Sequence, residues 1–211
     1  MLKLASWNIH RCIGTDGSYQ PARIRSVLRT LDADVVALQE VERFSHDPGL
    51  LDYLCEGRDW TAIHGTTMHR SSGDYGNAVL TRLPVITSRR LDLSVTNREP
   101  RGVIDLDCTL PGLHRDGPKG GQHAGRKDKE KPASLRVLAT HLGLSPLERR
   151  EQATRLGELL DEPGETNPTW VALMGDFNEW LLWGRPLRRL RRHFPKTPAP
   201  RDSGCQVMSH N

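Results

Sequence analysis

At 211 residues, 36% hydrophobic and 27% charged, the chain is long enough for one domain with its own core and short for two. A net charge of +4 favours an anionic partner, nucleic acid or phosphate ester, without choosing between them. No apolar run approaches a membrane span, the N-terminus turns polar too soon for a signal peptide, and the scattered Cys12, Cys55, Cys108 and Cys205 exclude a C-x-x-C zinc site or a disulfide framework. The expectation is a cytoplasmic monomer with free thiols and no stable membrane insertion.

Leu2 to Trp7 reads as a short strand, with Asn8-Ile9-His10-Arg11 at its end. On an extended backbone Asn8 and His10 share a face. They are either strand-terminal polar residues leading into the Gly14–Gly17 loop or the first members of a site. Pro21 opens a helix with Ile24, Val27, Leu28 and Leu31 at helical spacing, ended by Asp32 and Asp34. Val35-Val36-Ala37-Leu38 is a buried strand that finishes in Gln39-Glu40. Glu40 is a loop carboxylate or a metal ligand. The succession strand, helix, strand points to a layered α/β protein.

Leu50 to Cys55 reads as a short helix and Trp60 to His64 as a strand. Asp74-Tyr75-Gly76-Asn77 precedes the apolar Ala78-Val79-Leu80, and Leu83-Pro84-Val85-Ile86 follows at once, which suggests a hairpin-like pair. Pro84 confines one of these strands to an edge or to its own first residue. Asn77 closes a turn or reaches a site. Glu99-Pro100-Arg101-Gly102 opens a strand from Val103 to Leu110. Arg101 is a surface charge or a phosphate ligand. Gly112 to Ala133 is dense in Gly, Lys, Asp, His and Pro, so it is expected to form a mobile loop.

Ser134 to Thr140 alternates as a strand, with Leu135, Val137 and Ala139 facing one way and Arg136 and Leu138 the other; His141 lies at its end. Ser145-Pro146-Leu147-Glu148 combines a cap, an N1 proline and a capping-box glutamate. The helix it opens runs to about Leu160, with Leu147, Leu156, Leu159 and Leu160 toward the core and Arg149, Arg150 and Glu151 in water. Thr169 to Met174 is a second buried strand, stopped by Gly175-Asp176-Phe177-Asn178. Asp176 and Asn178 form an Asx turn or supply oxygen ligands and an amide to one site. Arg185 to Arg192 is a basic amphipathic helix with Leu187 and Leu190 inward, either a solvated face or an anionic-substrate patch. The aperiodic residues beyond Pro195 read as a disordered tail.

Taken in order, W-N-I-H, V-V-A-L-Q-E-V, G-N-A-V-L-T-R-L-P, T-H-L-G-L and G-D-F-N resemble the endonuclease/exonuclease/phosphatase superfamily, metal-dependent phosphodiesterases related to DNase I and neutral sphingomyelinase. The resemblance covers residues 1–194, leaving 195–211 as tail and 112–133 as an insertion. It implies a four-layer α/β sandwich, two mixed β-sheets packed face to face with helices outside. It also implies a Mg²⁺-dependent phosphoesterase, with Mn²⁺ as a substitute, acting on a nucleic acid, a phospholipid or a small phosphoester. By motif, Glu40 resembles the Mg²⁺ ligand and Asn8 its neighbour in the metal shell. Asp176 resembles the carboxylate that orients the attacking water, Asn178 the residue that holds the phosphate, and His141 the donor to a non-bridging oxygen. Asn77 and Arg101 resemble phosphate contacts of a subgroup.

The family pattern continues with a D-R-I or D-Y-I strand and an S-D-H-x-P pair that acts as general base, and the 211 residues contain neither. His193 and His210 do not sit in that context. The resemblance therefore implies an activity lowered by about 10²–10⁴-fold, the usual cost of a missing general base. The competing expectations are an inactive, C-terminally truncated remnant of the family fold and a non-catalytic, basic nucleic-acid-binding module carried by Arg185–Arg192 and the Lys-rich loop.

Overall fold

The computed structural model describes residues 2–45, 49–114, 132–164, 167–179 and 184–194. They form two four-stranded mixed sheets packed face to face, with helices on the outer faces. The first sheet has the order β1 (Leu4–Asn8), β2 (Val35–Phe44), β4 (Gly73–Thr81), β3 (Thr61–Arg70). The second has the order β5 (Val85–Asp92), β6 (Gly102–His114), β7 (Pro132–His141), β8 (Trp170–Asp176). Each sheet carries one parallel pair, β1 with β2 and β7 with β8, joined by the crossover helices α1 (Pro21–Leu31) and α3 (Pro146–Asp161). The other pairings are antiparallel. Strands β1 and β8 touch across the sandwich, so their C-terminal ends meet at one rim.

The layers follow from burial on both faces of the central strands. Val35 and Ala37 pack between the sheets with Val79, Ile104, Leu106, Val137 and Ala139. Val36 and Leu38, one residue out of phase, pack outward with Ile24 and Leu28 of α1 and with Leu50 and Leu54 of α2 (Leu50–Cys55). A strand covered on both sides has no solvent face to mark with polar residues, which is why V-V-A-L reads as a continuous apolar run. The outer face of the second sheet is closed by Leu142, Leu156 and Leu159 near α3 and by Leu190 of α4 (Arg185–Arg191). Arg136 points to that side too. It is held bidentate by Asp105 at 2.8 and 2.9 Å and caps the end of α3 through the carbonyls of Leu159 and Glu162.

Several expectations are corrected. Strands β4 and β5 do not pair; β4 forms its hairpin with β3, and β5 crosses to β6 in the other sheet. Pro84 lies just before β5, an edge strand, where its missing N–H costs nothing. Asp74 to Asn77 belongs to β4 and closes no turn. The capping box at Ser145 does not form. Glu148 turns inward and accepts from Gln152 at 3.2 Å, while Leu147 is 76% exposed. Arg149 is buried rather than solvated and donates to the carbonyls of Gly143 and Leu144. The expected loop 112–133 is shorter than its composition suggests, because β6 runs to His114 and β7 begins at Pro132. Residues 115–131 and the expected tail beyond Pro195 lie outside the described residues. Among the described residues, no helix is long and apolar enough to cross a membrane, and Cys12, Cys55 and Cys108 form no disulfide.

Candidate active site

The rim where β1 and β8 meet collects polar side chains from both sheets. Asn8 ends β1, and its Nδ2 donates to Glu40 Oε1 at 2.8 Å and to Asp176 Oδ2 at 3.2 Å. One amide nitrogen thus holds two carboxylates whose residues come from different sheets. The Asn8 oxygen is taken by the backbone N–H of His10 at 3.1 Å. His10 is not on extended backbone with Asn8 but in a 3-10 turn, His10–Cys12, with its imidazole Nδ1 3.5 Å from Glu40 Oε2.

Local backbone devices aim these groups. Strand β2 is bulged between Leu38 and Val41, and Glu40 within the bulge has a φ of +54°. A bulge re-aims a side chain that regular alternation would send elsewhere. Gly175 has a φ of +149°, and a Cβ there would lie 1.9 Å from the Thr140 carbonyl oxygen. Only glycine lets β8 run this close to β7 while setting Asp176 opposite His141 in the parallel ladder. The Asx turn is also formed, as Asp176 Oδ1 accepts from Asn178 N at 2.9 Å. The two readings of G-D-F-N are therefore compatible, since Asp176 uses one oxygen for the turn and presents the other to the rim.

His141 is buried at the centre of the rim. Arg101 Nη1 lies 3.2 Å from its Nδ1. A guanidinium has donors only, so Nδ1 is the lone-pair nitrogen and the proton of the neutral ring sits on Nε2. Asn178 Nδ2, 3.1 Å from Nε2, is also a donor; it gives one of its two hydrogens to the Leu142 carbonyl at 2.7 Å and competes for Nε2 with the other. The charge-assisted bond from Arg101 is the stronger, which keeps the lone pair on Nδ1 and turns the Nε2–H toward the rim, where Asp176 Oδ2 is 3.8 Å away. Burial, and then the Arg101 charge, hold the His141 pKa below its ordinary value; Asp176, Glu40 and Glu99 oppose them. Neutral imidazole with a rim-facing N–H is the form that results.

Arg101 is itself buried and pairs with Glu99 at 3.1 Å, while its Nε has no partner. Asn77, also buried, donates to the Gly102 carbonyl at 3.3 Å and so ties β4 to β6 beside Arg101. Its amide points between the sheets rather than at Glu40 or His141. Two residues were missed by sequence reasoning. Tyr75 is buried under the Arg70 guanidinium, and burial, followed by Glu40 and Glu99, pushes its phenol up to about 12. Glu99 is the counter-ion of Arg101. Neither residue stands at an apolar-run terminus, the signal that marked the others.

The donor set suits a hard cation. Among the described residues no group of three or more His, Cys, Asp or Glu is arranged to hold a metal. Two carboxylates are instead the sparse protein contribution that Mg²⁺ accepts alongside waters and a phosphate. Asn8 turns its N–H toward them and its oxygen toward His10, so it would join the shell only with its amide turned over.

Comparison with known proteins gives three findings. Residues 5–203 match the model of the Endonuclease/Exonuclease/phosphatase family. The uncharacterized protein YbhP of Escherichia coli K12 is 30% identical over 167 residues, covering 74% of this chain. The chain spans 58% of the length of YbhP. Among solved structures, an endonuclease/exonuclease/phosphatase from Beutenbergia cavernae superposes with a TM-score of 0.64 at 23% identity, covering 85% of this chain and 48% of that one. A mannosyl-6-phosphatase of Bacteroides thetaiotaomicron gives 0.62 at 19% identity, with coverages of 90% and 69%. Danio rerio TDP2 in complex with a single-strand DNA product gives 0.58 at 18% identity, with coverages of 92% and 64%. These structural likenesses establish the shared four-layer fold. The family match does not favour the non-catalytic binding module.

Proposed function

This chain belongs to the endonuclease/exonuclease/phosphatase family, and from that premise we propose that it is a divalent-metal-dependent phosphoesterase that hydrolyses its ester by attack of water at phosphorus. One observation carries the reading: Glu40 and Asp176 share a single amide nitrogen beside the Nε2–H of a buried, neutral histidine. A binding module has no need to gather two carboxylates where a phosphate would sit.

Glu40, Asn8 and Asp176 are the residues that would hold Mg²⁺ or Mn²⁺. When bound, the ion supplies charge compensation to the phosphoryl oxygens and lowers the pKa of a water. The chain's own residues do the rest. Asp176, with one oxygen anchored in its turn, orients the water by accepting its proton in a hydrogen bond. His141 donates Nε2–H to a non-bridging oxygen, and this bond strengthens as charge builds there in the transition state. Arg101 keeps that proton on Nε2 and adds a positive charge behind it. Asn178 would hold the phosphate through the amide hydrogen that its bond to the Leu142 carbonyl leaves over. A cytoplasmic location and a monomeric state remain part of the proposal.

The test is metal-dependent release of p-nitrophenol from p-nitrophenyl phosphate and bis-p-nitrophenyl phosphate, with calorimetric titration of Mg²⁺ in parallel. Wild type is expected to bind Mg²⁺ and turn over. Glu40→Ala is expected to lose binding by about 10–100-fold, on the scale of a disrupted metal site, and activity with it. A wild-type chain that neither binds Mg²⁺ nor hydrolyses either ester, or a Glu40→Ala variant as active as wild type, refutes the reading.

A further inference from the structure

A cavity of about 260 Å³ opens beside the rim, on the side away from β1 and β8. Arg101 and Asn77 belong to both, since they line the cavity and Arg101 also touches His141. From there the cavity runs between the two sheets toward Thr66 and Thr67 of β3 and toward Arg90 and Asp92 of β5.

The backbone is specialised at this point. Strand β3 is bulged between Thr66 and Met68, so Thr67 is the extra residue and its side chain is freed from regular alternation. Gly65 and Gly102 form part of the wall. A Cβ on Gly65 would come within 2.6 Å of Ile104 Cγ1, and one on Gly102 within 3.2 Å of Thr67 Cγ2. Side chains at these positions would crowd the space. The two bulges, at Glu40 and at Thr67, flank β4 on opposite sides, one aiming a carboxylate at the rim and the other shaping the cavity next to it.

The lining is chemically mixed. Its polar residues are partly engaged but keep spare capacity. Thr66 Oγ1 pairs with His64 Nδ1 and Thr67 Oγ1 donates to the Tyr75 carbonyl, yet a hydroxyl oxygen still accepts. Arg90 gives its Nε to the His64 carbonyl and Asp92 its Oδ1 to Ser94 N, which leaves further guanidinium N–H groups and a second carboxylate oxygen. The Arg101 side chain is only 8% exposed, and its Nε has no partner. Among the described residues, no aromatic ring lines the cavity, so nothing there offers a stacking surface for a nucleobase. The volume lies below the roughly 300–1,000 Å³ of sites that take drug-sized ligands. Interleaved donors and acceptors in a small space match a group that is itself both donor and acceptor at many positions, which is a polyhydroxylated ring.

We infer that this cavity is the subsite for the alcohol half of the ester, and that the alcohol is a single sugar-sized, hydroxyl-rich group rather than a nucleoside or an acyl chain. The inference rests on the phosphoesterase reading for the placement of the phosphate at His141. With the phosphate there, Arg101 lies at its near side and the ester oxygen leads into the cavity, whose wall Asn77 lines.

The experiment has a binding arm and a turnover arm, both on the 211-residue chain. In the first, glucose 6-phosphate, inorganic phosphate and thymidine 5′-phosphate are titrated calorimetrically in the presence of Mg²⁺. Glucose 6-phosphate is expected to bind at least about tenfold more tightly than inorganic phosphate, the scale of a few pocket contacts. Thr67→Phe, which fills the cavity, is expected to erase that margin. Arg90→Ala, which removes a donor without adding bulk, is expected to shrink it and serves where Thr67→Phe does not fold. In the second arm, the ratio of kcat/KM for glucose 6-phosphate to that for p-nitrophenyl phosphate falls in the same variants, through KM. Equal affinity for glucose 6-phosphate and inorganic phosphate, a margin untouched by Thr67→Phe and Arg90→Ala, or tighter binding of thymidine 5′-phosphate overturns the inference. Binding selectivity without any metal-dependent hydrolysis overturns the phosphoesterase reading and leaves the sugar subsite standing. Hydrolysis without the selectivity does the reverse.

Discussion

Replacing Arg101 with leucine removes the group that dictates which nitrogen of His141 carries the proton. The guanidinium lies 3.2 Å from Nδ1 and its side chain is 8% exposed, so solvent screens the contact little. A hydrogen bond from a charged donor contributes about 1.5–3 kcal/mol. At about 1.4 kcal/mol per factor of ten, that biases the neutral ring toward the Nε2–H tautomer by roughly 10- to 150-fold. Leucine keeps most of the volume and none of the bias. The substitution also removes a positive charge that, after burial, holds the His141 pKa down, so the pKa rises. The assay is a long-range proton–nitrogen correlation spectrum of the imidazole near neutral pH. Wild type is expected to show a protonated Nε2 and a lone pair on Nδ1, and Arg101→Leu a mixture of both tautomers. Loss of the bias takes the Nε2–H tautomer from nearly all of the population to about half, so turnover of p-nitrophenyl phosphate is expected to fall about twofold from the tautomer alone, and any larger loss measures the positive charge that Arg101 places behind the ring. A wild-type ring protonated on Nδ1, or identical spectra for wild type and variant, would show that Arg101 does not control the ring.

Stability should fall on acidification below pH 6.5. His141 and His64 both have folded-state pKa values depressed first by burial, His64 to about 4, so between 6.5 and about 4 the unfolded chain binds more protons than the folded one. Their contribution is complete above pH 6.5 and is lost as the pH drops. Urea midpoints for wild type and His64→Gln, compared at pH 7.5 and 4.5, should converge at the lower pH if His64 carries part of this loss. Asp105→Asn should destabilise the fold by about 3–5 kcal/mol, the cost of leaving a buried charge unpaired, because Arg136 is 2% exposed and Asp105 is its bidentate partner. Urea unfolding measures this, and a loss under about 1 kcal/mol, the value of an exposed pair, would mean that water or Asp107 takes over. Gly175→Ala should cost about 1–3 kcal/mol by overpacking against the Thr140 backbone and should lower kcat by displacing Asp176 from His141. A variant with wild-type melting temperature and turnover would show that β8 can shift freely.

The chain's own residues specified a good deal before any folding was known. Apolar runs ending in Glu40 and His141 were visible because the central strands β2 and β7 are buried on both faces and their polar termini then stand out. The runs ending in Asn8 and Asp176 read the same way, but β1 and β8 are edge strands with Leu4, Trp170 and Val171 exposed, so Thr169 to Met174 is not the buried strand its composition suggests. The order of those ends carried the family, and with it the layered sandwich. Periodicity reports that a side chain avoids water, but not what it meets instead. So the partner of β5 could not be read, since an edge strand of either sheet has the same composition. Glu148 read as a capping-box partner and Arg149 as solvated, because a charge near a helix start usually caps it or faces water; both are inside because Gln152 and buried carbonyls satisfy them. Tyr75 and Glu99 were invisible for the same reason, their role lying wholly in their neighbours.

The site itself is the clearest case. Asn8 and Asp176 are 168 positions apart, and nothing local to either requires the other. The choice of the Nε2 proton on His141 depends on an arginine 40 residues upstream in the chain. The sequence therefore determined which side chains were available at strand ends. Packing two sheets so that β1 lies against β8 decided that they would face one another, because only tertiary contact can bring groups so distant in the chain within hydrogen-bond reach.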